Sequence, residues 1–407
     1  MSLTVRVFVV TLAVLGGWLA ILPGSVETLY RHLDELGTQN VTVTYSLTLG
    51  VGWPVFMGAL VIGGRLGDRS ASSRRTIVIS GLAGMALIGG WMFFTTTPVS
   101  LIVAWVALQV PVAFVVSSSL ALALTHVSQK RRRLVSGLTG TAAVFSIFVG
   151  ALVLAIFAVP TTVALAGPAL VASVLALPLV WLSGKAPAHI ANADERPNAP
   201  ATRIPRRWAA LLSSGFLLSC ATSITNGYIV VFVSTWMSPS PADPASYVNL
   251  VILAATSLSI ISGIVVAVLV PSAERARIIY ASSAILVAAG IILMALVPEA
   301  SVVALATAGF GAGFGAANGL ELTLVAAMQP SMQRVGLDVG MFTAATTLPY
   351  VLIPLVAAGI FSINPTDGIG TLWWIAGNCA LAASGVMFFA ARPGSQTSRP
   401  SRKVVKA

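Results

Sequence analysis

Gly64-Arg65-Leu66-Gly67-Asp68-Arg69-Ser70-Ala71-Ser72-Ser73-Arg74-Arg75 is a short charged segment set between two long apolar runs. Each flanking run holds about 20 residues rich in Ala, Val, Leu, Ile and Gly, the length a helix needs to cross a hydrocarbon core roughly 30 Å thick. Working outward, the same alternation fills the chain. Spans are predicted at 4–24, 42–63, 76–95, 99–127, 134–157, 161–182, 208–236, 246–270, 277–297, 301–328, 336–361 and 370–391. With 57% hydrophobic and 9% charged residues, the chain is excluded from the class of water-soluble domains. The first block follows Met1 to Arg6 in the manner of a signal peptide, but no small-residue cleavage site closes it, and it reads as a retained span.

A net charge of +11 would ordinarily suggest an anionic partner such as nucleic acid. The placement of the cations points elsewhere. Of the 23 Lys and Arg, all but Arg31 fall on one side of the predicted spans. They include Arg65, Arg69, Arg74, Arg75, the Lys130 to Arg133 run, Arg206, Arg207, Arg275, Arg277, Arg334 and the tail cations. Lys and Arg are held on the cytoplasmic side during insertion, so both termini and the central loop are expected in the cytoplasm of a cell-membrane protein. An even number of spans follows. Cys220 and Cys379 lie inside spans and read as packing residues, with no disulfide or metal framework. The sequon at Asn40-Val41-Thr42 carries little weight.

The stretch from Ser183 to Arg207 contains four Pro and no hydrophobic run, and divides the chain. Residues 1–182 form one six-span half, 183–207 a linker, 208–391 a second half and 392–407 a basic tail. The halves echo each other faintly. Ser128-Gln129-Lys130-Arg131 stands before Gly137 as Ser331-Met332-Gln333-Arg334 stands before Gly340, with six residues from Arg to Gly in both. Repeats of this kind are the plan of transporters that rock one half against the other.

The segment from Gly64 to Arg75 resembles the signature loop of the major facilitator superfamily, in which a Gly precedes an acid, a base and a later basic pair. Ala71 stands where that family usually has Gly, and two Ser delay the basic pair. The resemblance implies an all-α integral membrane fold of twelve transmembrane helices in two six-helix pseudo-symmetric bundles. It also implies a gating role for Gly64, Asp68, Arg69, Arg74 and Arg75. A carboxylate stabilises a helix N-terminus, so Asp68 is expected to meet the start of span eleven near Val335 to Leu337. Arg69, Arg74 and Arg75 would face linker acids or lipid phosphates. Glu274 and Arg275 repeat the motif weakly, aimed at the start of span five. The Arg of span four found in many proton-driven exporters would fall near Val106 and is missing, as is the Gly-Pro motif of span five. The loop is somewhat similar to that of the sugar-cation symporter branch.

Ionisable residues inside a membrane cost about 3 kcal/mol and need a reason to be there. Glu321 is the clearest, with Asn318 one turn away on the same face. It is a candidate carrier of a coupling proton, against the alternative of a neutral carboxyl bonded to a neighbouring helix. Two polar stripes at helical spacing join it: Ser219, Thr222, Ser223 and Asn226 in span seven, and Thr343, Thr346, Thr347 and Tyr350 in span eleven. Such faces suit a wet cavity, although Ser and Thr also serve as ordinary glue between membrane helices. Tyr45 and Gln109 are weaker candidates from the first half. Gly311, Gly315 and Gly319 lie within an apolar span, where their spacing allows close helix approach and excludes a nucleotide loop. Trp181, Trp208, Trp236, Trp373 and Trp374 are expected as interfacial anchors.

The function expected is secondary transport of a small organic solute by a monomer in the lipid bilayer, with H+ as a candidate coupling ion. A neutral polar or cationic solute fits an interior without deep Arg or Lys. No cofactor, metal or nucleic acid is expected. Drug or metabolite efflux is the alternative within the class; a transporter-like sensor or scaffold, or a membrane-embedded enzyme, lies outside it.

Overall fold

The computed structural model describes the backbone of residues 3–67, 70–126, 129–157, 159–184, 205–237, 241–270, 272–328, 335–365 and 367–389. Side chains of 3–4, 121, 123–126, 129–140, 155, 267, 322, 326 and 335–340 fall outside the description. Among the described residues the chain is helical throughout. It comprises α1 (Leu3–Leu19), a π-helical turn (Gly24–Thr28), α2 (Leu29–Glu35), α3 (Val41–Gly67), α4 (Ala71–Met92), α5 (Pro98–His126), α6 (Gln129–Ile156), α7 (Thr161–Leu175) and α8 (Pro178–Ser183). The second half holds α9 (Arg206–Thr235), α10 (Pro244–Leu269), α11 (Ala273–Leu296), α12 (Ala300–Met328), α13 (Val335–Thr347), α14 (Pro349–Ile363) and α15 (Gly368–Phe389).

Eleven described helical stretches are long and apolar enough to cross a membrane, and α6 adds the shorter apolar stretch Thr141–Leu154. The twelve spans expected from sequence are therefore all present. Three of them are jointed. Pro178 separates α7 from α8 and Pro349 separates α13 from α14, each at the first helical position, where proline's missing N–H is no loss. The first span departs from its expected end at residue 24. Beyond Pro23 the chain continues as the π-turn and α2 to Glu35, because Val26, Leu29 and Leu33 keep a buried face in helical register.

Alternation of the spans gathers the α3–α4, α8–α9 and α10–α11 junctions at one end, called here the basic end, and the α2–α3, α9–α10 and α14–α15 junctions at the opposite end. At the basic end Ser70 caps α4 by accepting the Ser73 N–H at 3.1 Å. At the opposite end Asp243 caps α10, and the Ser246 hydroxyl and N–H hold its carboxyl below the usual carboxylate range.

Asp68 and Arg69 lie outside the described residues. Arg74 was expected beside lipid phosphates or linker acids, the latter lying outside the described residues. It is 3% exposed and packs beside Gly67, because α4 turns that face into the bundle. Arg75 lies along Gly184 at the end of α8. In the second half Glu274 was expected to aim at the start of span five, whose side chains lie outside the described residues. Its carboxylate accepts Arg277 at 2.6 Å, and Arg277 also donates to the Met387 and Phe388 carbonyls at the end of α15, at 2.9 and 3.0 Å. These last carbonyls of a helix have no intrahelical partner, and a guanidinium satisfies them.

The second half is held by backbone contact. A Cβ at Gly311, Gly315 or Gly319 would lie 2.1, 1.9 or 2.5 Å from the carbonyl oxygen of Ala255, Ser259 or Gly263, so α12 rests directly on α10. Gly313 and Gly290 also bring α12 close to α11, where a Cβ would lie 2.7 and 2.6 Å from the Ser283 and Ala306 carbonyl oxygens. Trp181 and Trp374 are exposed as interfacial anchors should be, but Trp208 and Trp373 are buried, Trp373 stacked on Phe232 at 4.5 Å. Cys220 and Cys379 are free thiols within hydrogen-bonding reach across α9 and α15.

Candidate functional site

Three features meet where the halves face each other: a cavity, a set of hydrogen bonds that closes the opposite end, and a polar group around Glu321. The cavity and its open mouth together hold about 500 Å³ of empty space. The first half contributes Val26, Val144 and Ile147, and the second contributes α9, α10 and α12 through Asn226, Ile229, Ile252, Ser259, Phe310 and Phe314, among others. Among the described residues its lining is mostly aliphatic and aromatic and carries no charge. Phe310 and Phe314 lie one turn apart with rings nearly parallel, 6.0 Å between centroids, and offer a flat apolar wall. Ser259 lines the cavity, is 4% exposed, and its hydroxyl has no hydrogen-bond partner among the described residues.

The polar stripe of span seven only partly faces this space. Asn226 lines it, and so does Thr225, which the stripe did not include. Thr222 and Ser223 are buried, and Thr222 donates to the Ser219 carbonyl at 3.3 Å. In α13, Thr346 donates to Phe342 at 3.1 Å and Thr347 to Thr343 at 2.7 Å, while Thr343 itself is exposed. These hydroxyls satisfy themselves on their own helix, the ordinary behaviour of Ser and Thr in membrane helices.

Glu321 stands two turns beyond Phe314 on α12, seven residues short of Met328 and hence about 10 Å from the basic end of that helix. It is half-buried and lies within electrostatic reach of Tyr280 on α11 and Tyr350 on α14. The Tyr350 hydroxyl is in turn within hydrogen-bonding reach of Thr222. Tyr350 packs on Trp53 of α3, ring centroids 5.2 Å apart, so this group touches the other half. Asn318, one turn from Glu321, is half-exposed. Gln109 sits across Trp53 in a smaller cavity that with its open mouth holds about 200 Å³, its amide donating to the Trp105 carbonyl at 3.3 Å. Glu321, Tyr350 and Thr222 thus come together; Gln109 is separated from them by Trp53.

Tyr45 takes a larger part than its place among the sequence candidates suggested. Fully buried, it lies four residues inside α3, about 6 Å from the opposite end. Its hydroxyl donates to the Gly227 carbonyl of the second half at 2.7 Å and is shared with the Ser25 carbonyl of its own half. The neighbouring pair reverses the direction: Tyr228 donates to Ser46 at 2.9 Å. Tyr30, Tyr45 and Tyr228 meet edge to face, and Phe361 closes the row.

Sequence reasoning passed over Glu27, placed there in a loop. The π-turn carries it inward, 2% exposed, with one carboxylate oxygen accepting Arg31 at 3.2 Å. The spacing of Glu27 and Arg31 on a continued helix was the available signal, hidden by Pro23 and Gly24. Trp53 and Tyr280 were also passed over, since a single aromatic in an apolar span carries no mark of its position.

Comparison with known proteins agrees with this geometry. A family model described as Major Facilitator Superfamily matches residues 7–354. No curated protein matches the chain. The chain therefore belongs to the major facilitator superfamily, the multi-span secondary transporters of small solutes.

Proposed function

We propose that this chain carries an uncharged, partly apolar small organic solute through the cavity between its halves by alternating access, with Glu321 carrying a coupling proton. The observation behind this reading is the cross-bonded pair Tyr45–Gly227 and Ser46–Tyr228, which joins the halves at the opposite end beside a cavity lined by both. A solute between two halves is released to one side when they part there. The apolar lining suits a ring-bearing solute that uses Asn226 and Ser259 for one or two hydrogen bonds, and it disfavours a bare ion. This narrows the polar or cationic solute expected from composition. The basic end faces the cytoplasm in this reading, which the distribution of Lys and Arg supports.

Glu321 links the chemistry to the motion, because Tyr350 beside it packs on the first half. A proton gained or lost there changes the charge next to an inter-half contact. The Phe310–Phe314 wall also suits export of drugs or metabolites, and flux direction decides between uptake and export. The test begins with a solute screen on cells lacking and overproducing the protein, followed by flux in vesicles with and without a pH gradient. Gradient-driven accumulation by the native protein, lost in Glu321→Gln while solute exchange persists, is expected. Full gradient-driven accumulation in Glu321→Gln rules out the proton role, and absence of any solute flux rules out transport.

A further inference from the structure

The π-turn of the first span joins three features that ordinary helix would keep apart. Ser25 presents its carbonyl to the Tyr45 hydroxyl, Val26 lines the inter-half cavity, and Glu27 carries a buried carboxylate. Single π-turns within helices are uncommon and concentrate at functional positions. This one is wedged in place: a Cβ at Gly24 would meet Trp105 and Leu165 at 2.9 Å, and Pro23 fits against Gly150.

The surroundings of Glu27 do not complete its hydrogen bonding. Oε1 accepts from Arg31, whereas Oε2 is buried and has no partner among the described residues. The charged and titratable groups facing it are few. Arg31 is on its own helix, and Asp243, ahead of α10, acts on it from the other half. Of the elements packed against the π-turn, α9 brings Tyr228 to this level, α7 brings no titratable group, and α2 brings Tyr30, His32, Asp34 and Glu35 besides Arg31. His32 is engaged separately, 3.3 Å from both Glu35 and Thr161.

We propose that Glu27 is a proton-binding site enclosed by the closed end of the bundle, and that its protonation favours closure there. A carboxylate oxygen buried without a donor is costly, whereas a carboxylic acid is neutral and carries its own donor. Closing the end encloses Glu27; parting the halves moves Asp243 and Tyr228 away and lets water reach it. Tyr45 makes the coupling direct, because its single proton can remain with Ser25 when the bond to Gly227 breaks. The proposal rests on the alternating-access reading but needs no solute for its test.

Spin labels on Gln39→Cys and Ser301→Cys, exposed on opposite halves at this end, report its opening. Cys220→Ser and Cys379→Ser remove the native thiols. The label separation is measured in nanodiscs from pH 5 to pH 9 in the native background, in Glu27→Gln, in Glu27→Asp and in His32→Gln. The native background is expected to shift from a short to a long separation as pH rises. Glu27→Gln should hold the short separation at every pH, and Glu27→Asp and His32→Gln should retain the shift. A native separation indifferent to pH overturns the proposal. So does a shift that survives in Glu27→Gln, or one abolished in His32→Gln, which would assign the proton to the imidazole. The failures are separable: pH-driven opening without solute flux sinks the transport reading alone, and flux with a pH-indifferent end sinks this one alone.

Discussion

The seam between α10 and α12 and the clasp between α3 and α9 are both helix contacts in one membrane bundle, and they are built from opposite materials. In the seam, Gly311, Gly315 and Gly319 leave no side chain between the helices, and carbonyl oxygens of Ala255, Ser259 and Gly263 occupy the space a Cβ would take. Contact of that kind is continuous and depends on many weak atom pairs at once. The clasp consists of two hydroxyl bonds and a row of edge-on rings. Few interactions have to break for it to part, and Tyr45 retains an acceptor when it does. Close backbone packing within a half and a few breakable polar bonds at one end of the contact between halves suit rocking, with α3 on α14 and α6 on α10 as the further surfaces along which the halves meet.

The sharpest way to break the contrast is Gly315→Ala. Its new methyl would sit 1.9 Å from a backbone oxygen, which cannot rotate away, and the cost expected is about 3 kcal/mol or more. Folded yield and unfolding temperature in detergent check it; an unchanged unfolding temperature would mean the seam is looser than described. Tyr45→Phe comes next. It keeps the ring packing and removes the bond to Gly227, worth about 1 kcal/mol, so the open population at this end should rise about fivefold with little change in unfolding temperature. Labelling of a cysteine at the clasp by a membrane-impermeant reagent measures that population. Ser46→Ala leaves Tyr228 without its acceptor while Tyr45 still holds, and a smaller rise of about twofold is expected. Gly309→Ala should do least. Its methyl would meet only Leu286 at 3.9 Å, an ordinary contact, and a change within about 0.5 kcal/mol is expected.

The glycine stripe was legible in the sequence, since i, i+4 spacing within an apolar span leaves few uses for glycine other than close approach. The clasp was not. Tyr45 and Gly227 are 182 residues apart, and no local pattern couples them. The candidate site shows the same division. Glu321 stood out because a carboxylate within an apolar span is costly wherever it points. Its neighbours Tyr280 and Tyr350 come from two other helices, and their rotation about those helices is set by packing. The polar stripes divide for a related reason: Asn226 lines the cavity and Thr222 meets Tyr350, whereas Thr346 and Thr347 bond to their own helix, and spacing alone cannot say which hydroxyls turn to a cavity.

The sequence by itself determined that the chain is a bundle of twelve membrane-spanning helices, because this follows from the cost of placing polar groups in hydrocarbon. Only the tertiary structure decided that Arg74 turns inward, that the first span continues through a π-turn to bury Glu27, and that Tyr45 and Tyr228 exchange bonds across the halves. Those depend on which helix faces meet, and the membrane, being apolar all round, leaves that choice to packing.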